Sequence, residues 1–190
     1  LTDLVICIKG AGEMASGVAW RLHRARFHRI VMLEKPIPLA VRRTVSFCEA
    51  LLHGEQTVEG VTAVRAAGVS EARNAWREDR MPVIADPEWR TVAAIQPDIL
   101  VDAVIAKRNL GTRMSDASLV IGLGPGFTAG ADVHRIVETH RGHHLGRVIA
   151  DGCAEANTGV PGPIAGYGSE RVLRAPNAGV FIACRAIGDP

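Results

Sequence analysis

The sequence predicts an α/β protein: a Rossmann-like doubly wound, mostly parallel sheet, followed by the start of a small β module at the C-terminus. Three observations carry this. An apolar run reaches a glycine pair and then switches to helical periodicity. Further short apolar runs alternate with helical segments along the chain, the pattern of a parallel sheet with crossover helices. Beyond residue 151 glycine and proline recur, and two extended runs come after them. Residues 1–151 are therefore assigned to a Rossmann-like domain, 152–171 to a Gly/Pro-rich linker, and 172–190 to a partial, truncated β module.

Residues 4–8 (LVICI) form a buried strand, and Met14, Val18, Leu22 and Ala25 share one face of a helix over 13–26. Residues 29–34 (RIVMLE) form a second strand, stopped by Pro36 and Pro38 and completing a βαβ unit. Residues 39–52 read as a helix ending near Gly54, 57–65 as extended chain about Gly60, and 70–77 as a helix. The runs 81–85 (MPVIA), 99–105 (ILVDAVI) and 119–123 (LVIGL) are three more buried strands. A helix is expected over 130–140 and a last core strand over 147–150. Residues 172–187 read as a hairpin about the turn 176–179.

At 190 residues, 47% apolar and 22% charged, the chain has the composition of a globule with one good core. A net charge of +2 without a basic cluster excludes nucleic acid and anionic membranes as general partners. No apolar run is long enough for a membrane span, and 1–10 is not a signal peptide, so a cytoplasmic location is expected. The start at Leu1 and the stop just after Gly188 and Asp189 suggest a trimmed polypeptide. Cys7, Cys48, Cys153 and Cys184 are too far apart in sequence for a ribbon or a redox pair and read as reduced thiols. Cys153, in a glycine-rich loop, is the first candidate for a reactive sulfur.

The chemistry-bearing motif of clearest mechanics is the fingerprint of Gly10, Gly12 and Ala15. Gly10 permits the tight turn, Gly12 lets amides approach a pyrophosphate, and Ala15 or Gly17 lets the helix pack closely on the sheet. A phosphate would sit at the helix N-terminus. Glu34 closes the second strand where a ribose-binding acid belongs, and Lys35 beside it keeps a 2′-phosphate open, so an NAD(P) ligand is one reading. Without a ligand, Glu13 would simply interact with the helix N-terminus. Gly124, Gly126 and Thr128 lie in a second glycine cluster that offers an anion nest or a plain turn. Lys107, Arg108 and Asn109 end another strand and would line the same carboxyl edge. Arg42 and Arg43 add cations. Asp132, His134, His140, His143 and His144 crowd one stretch, but their spacing matches no metal motif, and no metal ligand is assigned.

Taken together, KGAGE at 9–13, AVRRTVSF at 40–47, DAVIAKRNLGT at 102–112, GLGPGFTAG at 122–130 and NTGVPG at 157–162 resemble the selenium-dependent molybdenum hydroxylase accessory protein family, itself distantly similar to the xanthine dehydrogenase accessory factors. The resemblance spans about residues 5–165. It implies a Rossmann domain, a maturation role, a molybdopterin-type cofactor as ligand, and a molybdenum hydroxylase apoenzyme as partner. Arg42, Arg43, Lys107, Arg108 and Asn109 enter as pocket-lining positions. Two other readings stay open: a small NAD(P)-dependent oxidoreductase, for which no hydride-transfer pair is evident, and a sensing or scaffolding module without chemistry.

Overall fold

The computed structural model describes residues 3–179, 181–185 and 189. The chain divides into two compact units, Leu1–Asn157 and Thr158–Pro190. The first begins with β1 (Ile6–Lys9), α1 (Glu13–Arg24) and β2 (Ile30–Glu34), the expected βαβ unit. Glu13 in the first turn of α1 and Arg21, His23 and Arg24 in the last suit the helix dipole, and Arg26, with φ 70°, turns the chain out of the helix. One-turn 3-10 helices at Arg43–Val45 and Phe47–Glu49 lead into α2 (Ala50–His53). Then come the hairpin β3 (Glu55–Val58) and β4 (Val61–Ala66), α3 (Val69–Arg77), β5 (Met81–Ala85), α4 (Arg90–Ile95) and β6 (Ile99–Asp102). The unit finishes with β7 (Leu119–Leu123), β8 (Thr128–Ala129), β9 (Arg135–Val137), β10 (Val148–Ile149) and β11 (Gly152–Cys153).

Nine of these strands form one sheet in the order β10-β9-β7-β6-β1-β2-β5-β4-β3. All neighbours are parallel except the outer pairs β3/β4 and β9/β10, so the fold is a mostly parallel, Rossmann-like α/β sheet. Strand alternation sorts the core into two layers. Ile6, Ile8, Ile30 and Met32 face Ala15 and Ala19 of α1, together with Phe47, Cys48 and Leu51. Cys7, Val31 and Leu33 face the other way, toward Ala72 of α3 and Val92 and Ile95 of α4. Helices thus cover both faces of the sheet. The chain runs from β1 toward β2 and β5, then returns through α4 to β6 on the far side of β1. The crossover point lies between β1 and β6, and the carboxyl end of that gap is where such sheets take ligands.

Several expected elements take a different form. The helix over 39–52 is replaced by the two 3-10 turns and α2, because side chains compete for the backbone bonds a helix would need. The Ser46 hydroxyl donates to Arg42 O at 2.8 Å, and the Phe47 N–H donates to Ser16 Oγ at 2.8 Å. No helix forms over 130–140 either. The Thr128 N–H donates to Asp132 Oδ2 at 2.8 Å, Gly130 takes φ 86°, and Ile136 and Val137 enter the sheet as β9, where β-branched residues pack well. The strand over 147–150 shortens to β10, an edge strand with Val148 exposed, rather than a core strand.

In the second unit, the Arg171 guanidinium donates to Tyr167 O at 2.9 Å and to Gly162 O at 2.6 Å, and Ile164 and Tyr167 form an isolated bridge. The hairpin expected over 172–187 is not formed among its described residues; Val180 and residues 186–187 lie outside them. Leu173 and Phe181 are 98% and 90% exposed, and an isolated hairpin with no layer to cover its apolar face is marginal in water. Among the described residues no helix is long and apolar enough to cross a membrane.

Candidate functional site

The carboxyl ends of β1, β2 and β6 open into a pocket of about 270 Å³ lined by Gly10, Gly12, Glu13, Glu34 and Lys35, with Leu39, Ala40 and residues 103–105 around them. Its floor is the glycine loop. Gly10 takes φ 97°, a left-handed conformation, and a methyl group there would stand 3.1 Å from Ala103 O, so both the turn and the approach to β6 require glycine. Gly12 is the N-cap of α1 in extended conformation, with no side chain capping the helix. The positive end of the helix dipole therefore opens toward the pocket.

Two carboxylates frame this loop. Glu34 accepts from the Ala11 N–H through Oε2 and from the Lys35 N–H through Oε1, both at 2.8 Å, so the end of β2 is clamped to the glycine loop. Glu13 Oε1 accepts from the Arg42 N–H at 2.9 Å and from Arg42 Nε at 3.4 Å. The Arg42 backbone bond, opposed by burial and aided by Glu13's own N–H and the guanidinium, holds the Glu13 carboxyl below its ordinary range. These bonds draw residues 35–42 over the loop, with Ala40 Cβ 3.9 Å from the position a Gly12 Cβ would take. Ile37, Leu39 and Val41 on this segment are 78%, 78% and 83% exposed.

The structure brings Gly10, Gly12, Glu13 and Glu34 together, and Arg42 joins them through Glu13. Arg43 is directed elsewhere, pairing with Glu49 at 2.7 Å. Asn109 builds its own loop: its Nδ2 donates to Thr112 O, and its Oδ1 accepts from the Gly111 and Thr112 amides. Lys107 and Arg108 are exposed, and their backbone packs against the second glycine cluster so closely that a methyl group at Gly126 would lie 2.5 Å from Arg108 N. Gly124 leaves room for the Thr139 side chain and donates its N–H to Val137 O. Thr128 contacts Cys153 Sγ at 3.6 Å. These two segments thus meet each other at the same sheet edge, but none of their named side chains lines the Gly10 pocket. Of the thiols, Cys7 and Cys48 are buried and pushed up to about 12, chiefly by burial, whereas Cys153 is exposed.

A second cavity, of about 690 Å³, lies on the α4 face of the sheet, beside residues of the quoted motifs to which the sequence reading assigned no site role. Lys9, only 2% exposed at the end of β1, donates to Thr112 Oγ1 at 2.8 Å and lies 3.5 Å from Asp116 Oδ2. The Thr112 hydroxyl donates in turn to the buried Asp102 Oδ2 at 2.6 Å, and the Trp89 ring lies 5.6 Å from Lys9 Nζ. The signal was present in the sequence, since Lys9 and Asp102 are charged residues closing otherwise apolar parallel strands, paired side by side in register.

A relative from Escherichia coli (strain K12), named uncharacterized protein YqeB, is 49% identical over 185 residues, which make up 97% of this chain and 34% of the relative. The chain thus spans about a third of the length of the curated relative it matches. No family model matches the chain, and no solved structure matches it.

Proposed function

We propose that this chain holds a phosphate-bearing ligand, a nucleotide or a molybdopterin-type cofactor, at the Gly10–Gly12 loop, and that it does so as an accessory factor in the maturation of a molybdenum hydroxylase. One observation carries the binding half: the uncapped N-terminus of α1 opens onto a pocket at the crossover point between β1 and β6. The maturation half rests on the motif resemblance. At about 270 Å³ the pocket is just below the range of roughly 300–1,000 Å³ common for ligand sites. It suits a phosphate and one attached ring system. A larger ligand would require residues 35–42, held by the exposed Glu13–Arg42 pair, to swing aside. The exposed Ile37, Leu39 and Val41 on that segment suit a protein that receives the ligand and covers them.

Gly12→Asp is a clean test. Gly12 has φ −72° and no backbone near its missing Cβ, and aspartate is a favoured N-cap, so the variant should fold while its carboxylate takes the anion position. Calorimetric titration with NADH, NADPH and molybdopterin-type cofactor should show one of them bound by the wild type and weakened roughly a hundredfold in the variant. Equal affinity in a folded variant would remove the site. In a deletion strain the partner hydroxylase should be synthesised but inactive and deficient in cofactor, and the wild-type gene should restore it.

A NAD(P)-dependent oxidoreductase would use the same loop, and Glu34 at the end of β2 is the observation that favours it. Steady nicotinamide reduction by the purified protein with an alcohol or hydroxy acid would establish that reading instead.

A further inference from the structure

At the opposite edge of the sheet from the glycine loop, three side chains from separate segments converge. His23 lies in the last turn of α1, His28 in the connection to β2, and Asp79 between α3 and β5. The convergence follows from the sheet. Strands β2 and β5 are parallel neighbours with Met32 opposite Val83, and His28 and Asp79 each stand four residues before those positions. His28 Nδ1 lies 2.7 Å from Asp79 Oδ1, and His23 Nε2 lies 3.3 Å from the same oxygen. The three ligand atoms all fall within 4.8 Å of one another, and the two rings meet edge to face with centroids 5.1 Å apart. Among the described residues no other group of three histidine, cysteine or acidic side chains comes together in this way.

We infer that His23, His28 and Asp79 form a binding site for a divalent transition-metal ion of the zinc class. Two imidazoles and one carboxylate are a borderline-soft donor set, suited to zinc rather than to magnesium or calcium. Ligand bonds of about 2.0–2.2 Å in a tetrahedron hold the ligand atoms about 3.3 Å apart. The His23–Asp79 separation already has this value, and the His28–Asp79 contact needs to open by about half an ångström. His28 and Asp79 are partly solvent-exposed, so the ion can enter without rearrangement of the core, and the fourth position is left to water. Such an ion would tie the end of α1 to the α3–β5 turn, independently of the ligand pocket at the other edge.

The test is titration of the full chain with zinc, read by competition with a chromogenic chelator and by the shift in melting temperature. The wild type should bind about one equivalent and melt higher in its presence. Asp79→Asn, which keeps the hydrogen bonds and tolerates the left-handed φ of 54°, should weaken binding by about tenfold or more, and His28→Ala should do the same. The control His140→Ala with His144→Ala, which removes the two histidines paired with Glu155, should retain the site. Absence of saturable zinc binding in the wild type, undiminished affinity in folded Asp79→Asn and His28→Ala proteins, or loss of binding in the control alone would overturn the assignment.

Discussion

Gly126 has a positive φ of 112° and backbone of the Lys107–Arg108 segment where a side chain would go. Gly126→Ala therefore strains the conformation and pushes two chain segments apart, and it should cost about 2 kcal/mol or more of unfolding free energy in a urea titration. Gly17 is the opposite case. It lies inside α1, exposed, with nothing within 4 Å of a Cβ, so Gly17→Ala should stabilise the protein by about 0.5–1 kcal/mol. Asp86 supplies a pH-dependent prediction. Its carboxylate is 7% exposed, and Oδ2 accepts the Thr91 N–H at 2.6 Å in the turn entering α4. Burial pushes this carboxyl up, but bonds from Thr91, Arg90 and Glu88 together outweigh burial and hold it below the usual range. A lowered folded-state value means that its stabilisation is complete above the unfolded-state value of about 3.9 and is lost as pH falls through the folded one. Asp86→Ala should thus cost about 1–2 kcal/mol at neutral pH, and the gap to wild type should narrow in acid. A gap that is unchanged at low pH would contradict the role of the charge.

Among the secondary-structure elements, the segment 39–53 shows side-chain chemistry overriding helical pattern. Ser16 on α1 is buried. Its hydroxyl donates to Ala11 O at 3.1 Å and its oxygen accepts the Phe47 N–H, while the Cys48 N–H donates to Ala11 O at 2.9 Å. The glycine loop is thereby stitched to the turn that carries Phe47, a fully buried ring in the layer under α1. Ser16→Ala leaves the buried Phe47 N–H without its partner and should cost about 1–3 kcal/mol. Unchanged stability by chemical denaturation would show that water replaces the hydroxyl. The long parallel core strands were readable because each is a run of apolar residues bounded by glycine, proline or charge. The short pieces at 128–129 and 135–137 were not, since each is two or three residues long and is held by pairing with other segments of the chain.

Across the molecule, every strand of the nine-stranded sheet and of the β8/β11 pair lies before residue 157. A chain ending at Asn157 should therefore unfold in one cooperative transition with its near-ultraviolet circular dichroism retained, and loss of that signal would show that the sheet depends on the second unit. The α/β class, the βαβ start, the positions of β1, β2, β5, β6 and β7, and the glycine loop are all legible in residue order alone, because burial on both faces and the turn after a strand are local requirements written in residue type. What the side chains do with one another emerges only in the folded chain. Folding sends Arg42 to Glu13 and Arg43 to Glu49, turns Glu34 back onto the Ala11 amide, buries Lys9 beside Asp102 and Thr112, and sets His28 against Asp79 across neighbouring strands. The reason is physical: hydrogen bonds and ion pairs act over a few ångströms, and strand order in a sheet, which no local pattern encodes, determines which distant residues come within that range.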